Sequence, residues 1–276
     1  MKTIQIGKIK ISNHLPLVII AGPCVIESRK HCLELASKIK GIAAKCAIPF
    51  IFKASYDKAN RSSIDSYRGL GIDEGLDILS QVKSVLKLPI LTDVHTEEQA
   101  YKAAKIVDII QVPAFLSRQT DLLKACAMTK IPINVKKGQF LAPDDMPNVI
   151  KKIEKFGNKD IMLTERGATF GYHNLVVDFR GLEIMKQSGY PVVFDATHSV
   201  QLPGGAGSKS SGNREFVLPL SKAAAAVGIA ALFLEVHENP DKALSDGANS
   251  VNLKQFEQIL NITKKIDKAV KNENGK

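Results

Sequence analysis

The sequence contains no tryptophan, and aromatic residues make up only 6% of its 276 residues. It also lacks the run of roughly 18 apolar residues that a membrane-spanning helix needs, and the polar residues 1–13 are unlike a signal peptide. We therefore predict a cytoplasmic protein with no membrane partner. The net charge of +10 suits nucleic acid, an anionic membrane surface or anionic small molecules. The scattered lysines and scarce aromatics favour a solvated basic surface over nucleic-acid binding.

Cysteine is scarce as well, with four residues. Cys32, Cys46 and Cys126 fall on the apolar faces of predicted helices and are interpreted as packed thiols, whereas Cys24 follows an apolar strand and a Gly-Pro pair. The chain has no G-x-G-x-x-G after its first strand, no Walker spacing and no G-x-S-x-G elbow. These absences argue against dinucleotide binding, P-loop nucleotide binding and Ser-His-Asp hydrolysis.

Eight apolar runs, mostly without alternation, predict parallel strands that are covered on both faces. They lie at 17–21, 49–53, 89–94, 107–112, 131–136, 160–165, 191–197 and 231–237. Amphipathic stretches between them predict helices at 29–46, 75–86, 97–105, 119–128, 146–156 and 215–227. Eight βα units in about 250 residues are typical of a TIM (β/α)8 barrel, and a doubly wound Rossmann-type sheet is the alternative.

The two ends of the chain add smaller elements. Residues 4–11 alternate in polarity and predict a short N-terminal β-hairpin, within residues 1–13, that plugs the amino-terminal mouth of the barrel. A last helix is predicted over 254–271, followed by a disordered tail over 272–276. No linker divides the chain, so we predict one domain over residues 1–276.

Active sites of such barrels lie at the carboxyl ends of the strands. Every predicted strand ends in polar residues: Cys24, Lys53, Asp93 with His95, Gln111, Lys136 with Lys137, Arg166, Asp195 with His198, and Glu235 with His237. Three strands that end in Lys or Arg are electrostatically unfavourable without an anion between them. We therefore predict an anionic substrate with more than one acidic group.

The segment 49–63, Pro-Phe-Ile-Phe-Lys-Ala-Ser-Tyr-Asp-Lys-Ala-Asn-Arg-Ser-Ser, changes from apolar to basic at the end of a strand. Ammonium, guanidinium and hydroxyl groups that converge there suit phosphate or carboxylate oxygens. The candidate anion-binding residues are Lys53, Ser55, Lys58, Asn60, Arg61 and Ser62. A solvated basic loop is the alternative.

A second candidate group consists of Cys24, His198, Glu235 and Asp246. In a closed eight-stranded barrel the last strand lies beside both the seventh and the first, so these residues meet. A thiolate, an imidazole and two carboxylates suit Zn²⁺, Fe²⁺ or Mn²⁺, although each residue also has an ordinary structural explanation. The Gly- and Ser-rich loop 201–214 is either a lid over the site or a loop without a role.

Together these segments resemble the 3-deoxy-D-manno-octulosonate 8-phosphate (KDO-8-phosphate) synthases from about residue 15 to residue 255. The matching motifs are Ala-Gly-Pro-Cys with Glu27-Ser28, Phe-Lys-Ala-Ser-Tyr-Asp-Lys-Ala-Asn-Arg-Ser-Ser, Thr92-Asp-Val-His, Gln111-Val-Pro-Ala-Phe-Leu-Ser-Arg, Asn134-Val-Lys-Lys, Glu165-Arg-Gly-Ala, Phe194-Asp-Ala-Thr-His and Ser245-Asp-Gly-Ala. The most specific of them is Lys-Ala-Asn-Arg-Ser, because the related seven-carbon synthases have Lys-Pro-Arg-Thr-Ser at this place.

The resemblance implies condensation of phosphoenolpyruvate with D-arabinose 5-phosphate, for lipopolysaccharide biosynthesis, by a cytoplasmic homotetramer. It implies that phosphoenolpyruvate is held by Lys53, Lys58, Gln111, Lys136 and Arg166. The sugar phosphate is held by Asn60, Arg61 and Ser62, with Arg118 from a neighbouring subunit. His198 and Asp93 are the candidates for proton handling, and Cys24 implies the metal-dependent type, because metal-independent members have Asn there.

Other functions stay open at this point. A 3-deoxy-D-arabino-heptulosonate 7-phosphate synthase using erythrose 4-phosphate is the nearest alternative, and the Ala59-Asn60 pair argues against it. A Schiff-base aldolase using Lys136 is a second. A non-catalytic phosphosugar sensor, or a nucleic-acid-binding module, is a third kind.

Overall fold

The computed structural model describes residues 1–61, 63–204 and 211–273. Eight parallel strands form a closed barrel, and a helix follows each of them. The strands are β1 (Val18–Gly22), β2 (Phe50–Lys53), β3 (Ile90–Asp93), β4 (Ile109–Val112), β5 (Ile133–Lys136), β6 (Ile161–Glu165), β7 (Val192–Asp195) and β8 (Ala231–Glu235). The helices are α1 (Arg29–Lys45), α2 (Ile72–Leu86), α3 (Glu97–Ala103), α4 (Thr120–Met128), α5 (Met146–Lys155), α6 (Arg180–Lys186), α7 (Val217–Val227) and α8 (Leu253–Glu273).

The barrel closes because β8 pairs in parallel with both β7 and β1. Every other strand pairs with its neighbours along the chain. The predicted TIM barrel is therefore confirmed, and the doubly wound sheet is wrong. Closure also brings the carboxyl end of β8 beside that of β1, where Glu235 is the register partner of Gly22.

Among the described residues, three two-stranded antiparallel ladders lie outside the barrel. They join Ile4–Ile6 to Ile9–Ile11, Ala168–Thr169 to Leu175–Val176, and Gln201–Leu202 to Ser211–Gly212. Short 3-10 helices are found at Ala114–Leu116, Pro143–Asp145, His198–Val200, Arg214–Phe216 and Pro240–Lys242. The predicted N-terminal hairpin is confirmed.

The interior of the barrel is apolar at its amino-terminal end. Ile4, Ile6 and Ile11 of the hairpin pack on an inner cluster formed by Val18, Ile20, Ile51, Leu91, Ile109, Met162, Val193, Ala231 and Phe233. The predicted plug is therefore confirmed. A larger cluster lies between the barrel and its surrounding helices.

Polar residues occupy the same inward face two positions further along the strands. Lys53 follows Ile51, Asp93 follows Leu91, and Gln111, Asp195 and Glu235 follow Ile109, Val193 and Phe233 in the same way. Because side chains alternate along a strand with a period of two, each polar residue points to the side of its apolar predecessor. The interior therefore changes from apolar to polar at the carboxyl ends of the strands.

The helices differ from prediction in two places. The sequence pattern did not predict α6, which is seven residues long and has a glycine at its second position. The last helix continues through Glu273, two residues into the segment predicted to be disordered, and residues 274–276 lie outside the described residues.

Two further expectations concern the cysteines and membrane-spanning helices. Cys32, Cys46 and Cys126 are buried and unpaired, as predicted for packed thiols. Among the described helices, none combines the length and the apolar composition that crossing a bilayer requires.

Candidate active site

A cleft of about 1020 Å³ opens over the polar layer of the barrel. It brings together ten residues predicted from the sequence, which are Lys53, Lys58, Asn60, Arg61, Asp93, Gln111, Lys136, Arg166, His198 and Asp246. Residues more than 180 positions apart in the chain thus share one wall, because the barrel is closed.

Lys136 ends β5 and forms an ion pair with Asp195, at the end of β7. Its Nζ also lies 3.5 Å from the centre of the Phe233 ring. Burial, opposed by Asp195 and reinforced by Lys53 and Arg166, lowers the pKa of Lys136 to about 8. The ammonium group is therefore charged at neutral pH, and it loses its proton more readily than an ordinary lysine does.

Arg166 follows β6 and is 5% exposed. Its Nη2 donates to Gln201 Oε1 at 3.0 Å, whereas its buried Nη1 has no hydrogen-bond partner among the described residues. Burial lowers the pKa of the guanidinium despite nearby carboxylates. An unpartnered N–H on a buried cation that lines a cleft is suited to an anionic ligand.

Lys53 and Lys58 lie on the other side of the cleft, next to Glu235. Their Nζ atoms are 3.4 Å and 3.9 Å from Glu235 Oε1, and Lys53 also donates to the carbonyl oxygen of Cys24 at 3.0 Å. Burial acts to lower the pKa of Lys58, but Cys24 and the surrounding carboxylates raise it overall. This lysine therefore stays cationic.

Asp195 orients His198. Its carboxylate lies 2.7 Å from His198 Nδ1 and accepts the backbone N–H of the same residue at 2.9 Å. With the Nδ1–H directed at a carboxylate, the lone pair of the ring is on Nε2. Nε2 lies 3.4 Å from Glu235 Oε1 and 4.0 Å from Asp246 Oδ2.

Three of the four predicted metal ligands form a compact group, and His198 lies beside two of them but outside the group. Ligand atoms of Cys24, Glu235 and Asp246 all lie within 4.8 Å of one another, and His198 Nε2 faces both carboxylates. The second carboxylate oxygen of Glu235, Oε2, is buried without a hydrogen-bond partner among the described residues. The set of one sulfur, one nitrogen and two carboxylate groups, with an unsatisfied buried oxygen, fits a borderline divalent ion.

The charges of this group are set by their surroundings. Burial, Asp246 and Glu235 raise the pKa of the Cys24 thiol well above its usual value, and Cys24 Sγ donates to Asp246 Oδ2 at 3.1 Å. Burial opposes ionisation of Asp246, but Lys58 and His198 lower its pKa to about 2. A cation bound here would displace the thiol proton, because the thiolate is the ligand.

Gly22 allows Cys24 to come close to β2. A Cβ on this glycine would lie 1.9 Å from the carbonyl oxygen of Lys53, so no other residue fits between the two strands. The chain then turns through Pro23 to Cys24, and Val25 forms a parallel bridge with Ser55.

Asp93 ends β3 on the wall of the cleft. It accepts a hydrogen bond from Ser55 Oγ and lies 3.2 Å from His95 Nε2. Burial alone would raise the pKa of Asp93, but His95, Lys53 and Lys58 lower it strongly. The carboxylate is therefore ionised, and Ser55 and His95 fix its position in the absence of any ligand.

Three of the predicted substrate-binding residues are not part of the cleft wall as described. Ser55 is fully buried and lies behind Asp93. Arg118 lines a separate groove of about 120 Å³ with Leu141, Asp145, Asn148, Val149 and Lys152. Ser62 lies outside the described residues, as do residues 205–210 of the predicted lid, while Gln201, Pro203 and Ser211 line the cleft.

Sequence reasoning assigned no role to Asp195, although it ends a strand. Its signal was position alone, since an acid on the inward face of a barrel that also holds an inward lysine is expected to form a pair. The role of Glu27, described below, had no such signal.

A sequence model of the DAHP synthetase I family matches residues 2–272. The chain belongs to this family. It is 57% identical over 270 residues to a protein of Rickettsia prowazekii, covering 98% of both chains. It is also 57% identical over 270 residues to one of Geobacter metallireducens (98% of this chain, 99% of the relative), and 52% identical over 271 residues to one of Bartonella bacilliformis (98% and 96%).

All three relatives are named 2-dehydro-3-deoxyphosphooctonate aldolase, a synonym of KDO-8-phosphate synthase. The resemblance found in the motifs therefore extends over the whole chain and is confirmed. Within the DAHP synthetase I family, these relatives favour the eight-carbon enzyme over the seven-carbon alternative.

Proposed function

We propose that the protein condenses phosphoenolpyruvate with D-arabinose 5-phosphate and water to give 3-deoxy-D-manno-octulosonate 8-phosphate and phosphate. The observation that supports this most is the single cleft lined by Lys53, Lys58, Lys136 and Arg166, since both substrates are anions. The full-length similarity to enzymes of this name supports the same reaction. The product of this reaction would be used in lipopolysaccharide assembly.

Phosphoenolpyruvate is held by cations from three strand ends, those of β2, β5 and β6. We assign its phosphate and carboxylate to Lys53, Lys58, Lys136 and Arg166, with Gln111 as a neutral donor. Arg166 supports this because its Nη1 lacks a partner among the described residues. In the reaction, C3 of phosphoenolpyruvate attacks the aldehyde carbon C1, water adds at C2, and the phosphohemiketal loses phosphate. The cations neutralise reactants that would otherwise repel each other.

The sugar phosphate is assigned to Asn60, Arg61 and Ser62. Arg61 donates from Nε to the carbonyl oxygen of Tyr67 at 3.1 Å and from Nη2 to that of Leu244 at 3.2 Å, so the guanidinium is held at the rim of the cleft. Arg118 lies in a groove away from this cleft. Its position supports the proposal that it acts on a neighbouring subunit of a homotetramer.

Cys24, His198, Glu235 and Asp246 are proposed to hold a divalent ion, Zn²⁺, Fe²⁺ or Mn²⁺. When bound, such an ion polarises an aldehyde or water oxygen as a Lewis acid. The unsatisfied Glu235 Oε2 and the orientation of His198 by Asp195 support the assignment. It makes the protein a metal-dependent member of its type.

Proton transfer is assigned to Asp93, and to His198 when no ion occupies its Nε2, because the Nδ1 of His198 is directed at Asp195 and leaves Nε2 as its one free position. Both line the cleft, and each is fixed by a neighbour, His198 by Asp195 and Asp93 by Ser55. Lys58 and Lys136 complete the catalytic set because they face the reacting anions. Positioned acid–base groups of this kind typically contribute about 10²- to 10⁴-fold to a rate.

The test is phosphate release from phosphoenolpyruvate with arabinose 5-phosphate or erythrose 4-phosphate, before and after chelation and after Zn²⁺ or Mn²⁺ is added back. Arabinose-dependent release that a chelator abolishes and metal restores is the expected result. Release that resists the chelator would contradict the role of the metal, and release only with erythrose 4-phosphate would contradict the proposed substrate.

A further inference from the structure

Glu27 lies between β1 and α1, three residues after Cys24. Its Oε1 accepts the backbone N–H of Leu244 at 2.9 Å and lies 3.4 Å from His237 Nε2. Leu244 is two residues before Asp246, and His237 is two residues after Glu235. Glu27 belongs to the segment that holds Cys24. Its Oε1 therefore contacts both of the other segments, the one that holds Glu235 and the one that holds Asp246.

The tautomer of His237 follows from its second contact. Its Nδ1 accepts the backbone N–H of Asn239 at 3.0 Å, so the proton of the neutral ring is on Nε2, facing Glu27. Ligand atoms of Glu27, His31 and His237 lie within 4.8 Å of one another. A metal-bound histidine, however, donates through its other ring nitrogen, and His237 accepts there. His237 Nε2 therefore faces Glu27 Oε1 as a close polar contact at 3.4 Å, although it has no hydrogen-bond partner among the described residues. Its proton leaves no lone pair there for a second ion.

Two arginines also hold the loop that carries Asp246: Arg61 donates to the carbonyl oxygen of Leu244 at 3.2 Å, and Arg214 donates to that of Gly247 at 2.6 Å. Glu27 is the contact that ties this loop to the Cys24 segment through the Leu244 N–H. The two ends of the loop are joined by a parallel bridge between Val236 and Val251. The Leu244 side chain is 47% exposed, so apolar burial does little to hold it. Asp246 itself has a φ of +49°, a conformation that non-glycine residues adopt only when their surroundings impose it.

The position of this loop sets the geometry of the centre. Cys24 Sγ lies 2.8 Å from Ser245 Oγ and 3.1 Å from Asp246 Oδ2, so a shift of the loop changes the Cys24–Asp246 separation directly. The segment of Cys24 is in turn tied to the barrel, because Ile26 N–H donates to the carbonyl oxygen of Ser55 at 2.9 Å. Glu27 links the fixed segment to the loop.

We propose that Glu27 is a positioning residue for the metal centre, which holds the Asp246 loop against the Cys24 segment through Leu244 and His237. The inference rests on the proposed metal site. It depends on the reach of the side chain and on an acceptor oxygen, and it does not depend on negative charge. Glutamine at this position keeps both requirements, aspartate keeps an acceptor oxygen and the charge but loses the reach, and alanine keeps neither.

The test is titration of the metal-free full-length protein and its variants with Co²⁺. Binding is measured by the thiolate-to-cobalt absorption of Cys24 and by competition with a chelating dye. Outer-shell partners of metal ligands typically contribute about 10- to 100-fold in affinity, so we expect Glu27→Ala and Glu27→Asp to bind Co²⁺ at least about tenfold more weakly, with an altered absorption band. Glu27→Gln is expected to match the parent protein. Glu34→Ala is the control, because Glu34 is an exposed glutamate of α1 whose nearest cation is Lys30 at 3.9 Å.

Each outcome discriminates between explanations. Parent-like affinity and spectrum in Glu27→Ala or Glu27→Asp would overturn the positioning role and leave the metal site standing. Weak binding by Glu27→Gln would show that charge is required, and would also overturn it. A parent protein that binds no Co²⁺ would overturn the metal site together with this inference, while phosphate release would still test the reaction separately. If Glu27→Ala does not fold, the contrast between Glu27→Asp and Glu27→Gln decides.

Discussion

Replacing Arg166 with methionine should weaken substrate binding without destabilising the fold. The guanidinium is 5% exposed and forms no ion pair with a carboxylate among the described residues. Its Nη1 is unpartnered there, and burial lowers its pKa. These observations indicate that the partner of the Arg166 cation is the anionic substrate. Arg166→Met removes the charge while keeping an unbranched apolar side chain in its place.

The variant should weaken ligand binding and leave the stability of the fold unchanged or higher, for two separate reasons. A hydrogen bond to a charged group contributes about 1.5–3 kcal/mol, so the variant should bind phosphoenolpyruvate about 10- to 150-fold more weakly. In the unliganded protein the variant breaks no ion pair among the described residues, and it removes the cost of burying a cation that has only a hydrogen bond to Gln201. The free energy of unfolding should therefore stay the same or rise.

Isothermal titration with phosphoenolpyruvate and urea unfolding without ligand measure the two effects. Arg180→Met is the matched control, because the Arg180 side chain is 87% exposed, and it should change neither quantity. Affinity within about threefold of the parent would refute the assigned contact, since even one lost charged hydrogen bond exceeds that change. A loss of more than about 2 kcal/mol in unfolding free energy would show that Arg166 has a stabilising ion-pair partner in the free protein.

Three further predictions follow from other residues of the cleft. Because the pKa of Lys136 is lowered to about 8, the ammonium group is present below that pH and lost above it, so phosphoenolpyruvate affinity should fall as pH rises through 8. Titrations at pH 7 and 9 check this, and equal affinities would contradict it. Asp195→Asn leaves buried Lys136 without its carboxylate and should lower the free energy of unfolding by about 3 kcal/mol in urea; an unchanged midpoint would show that the pair is not coupled to folding. Cys24→Asn should lose most bound metal after dialysis, measured by atomic absorption, while retaining some activity, and parent-like metal content would remove Cys24 from the ligand set.

Much of the fold follows from local sequence pattern. The eight apolar runs identify the strands, because parallel strands covered on both faces need continuous apolar residues. The polar residue that ends each run then marks the site, since Lys53, Asp93 and Glu235 follow inward apolar residues at a spacing of two. Helix α6 was missed although α3 is equally short, and α6 differs by containing Gly181, which has a low helix propensity.

The contacts inside the site could not be predicted in the same way. Asp195 meets Lys136 across 59 residues, and Glu27 meets Leu244 across 217. Such pairings depend on the closure and tilt of the barrel and on loop paths, which residue spacing does not determine. The tautomers of His198 and His237 depend in turn on those contacts, so the lone pair available to a metal is visible only in the structure.

The measurement that tests the central proposal most directly is competition between the two sugars. Phosphoenolpyruvate is supplied with equal amounts of arabinose 5-phosphate and erythrose 4-phosphate, with metal present, and the acids formed are separated and weighed by mass spectrometry. The account predicts that the eight-carbon phosphorylated acid is the main product and that phosphate appears in equal amount. A predominance of the seven-carbon acid, or loss of phosphoenolpyruvate without either acid, would contradict it.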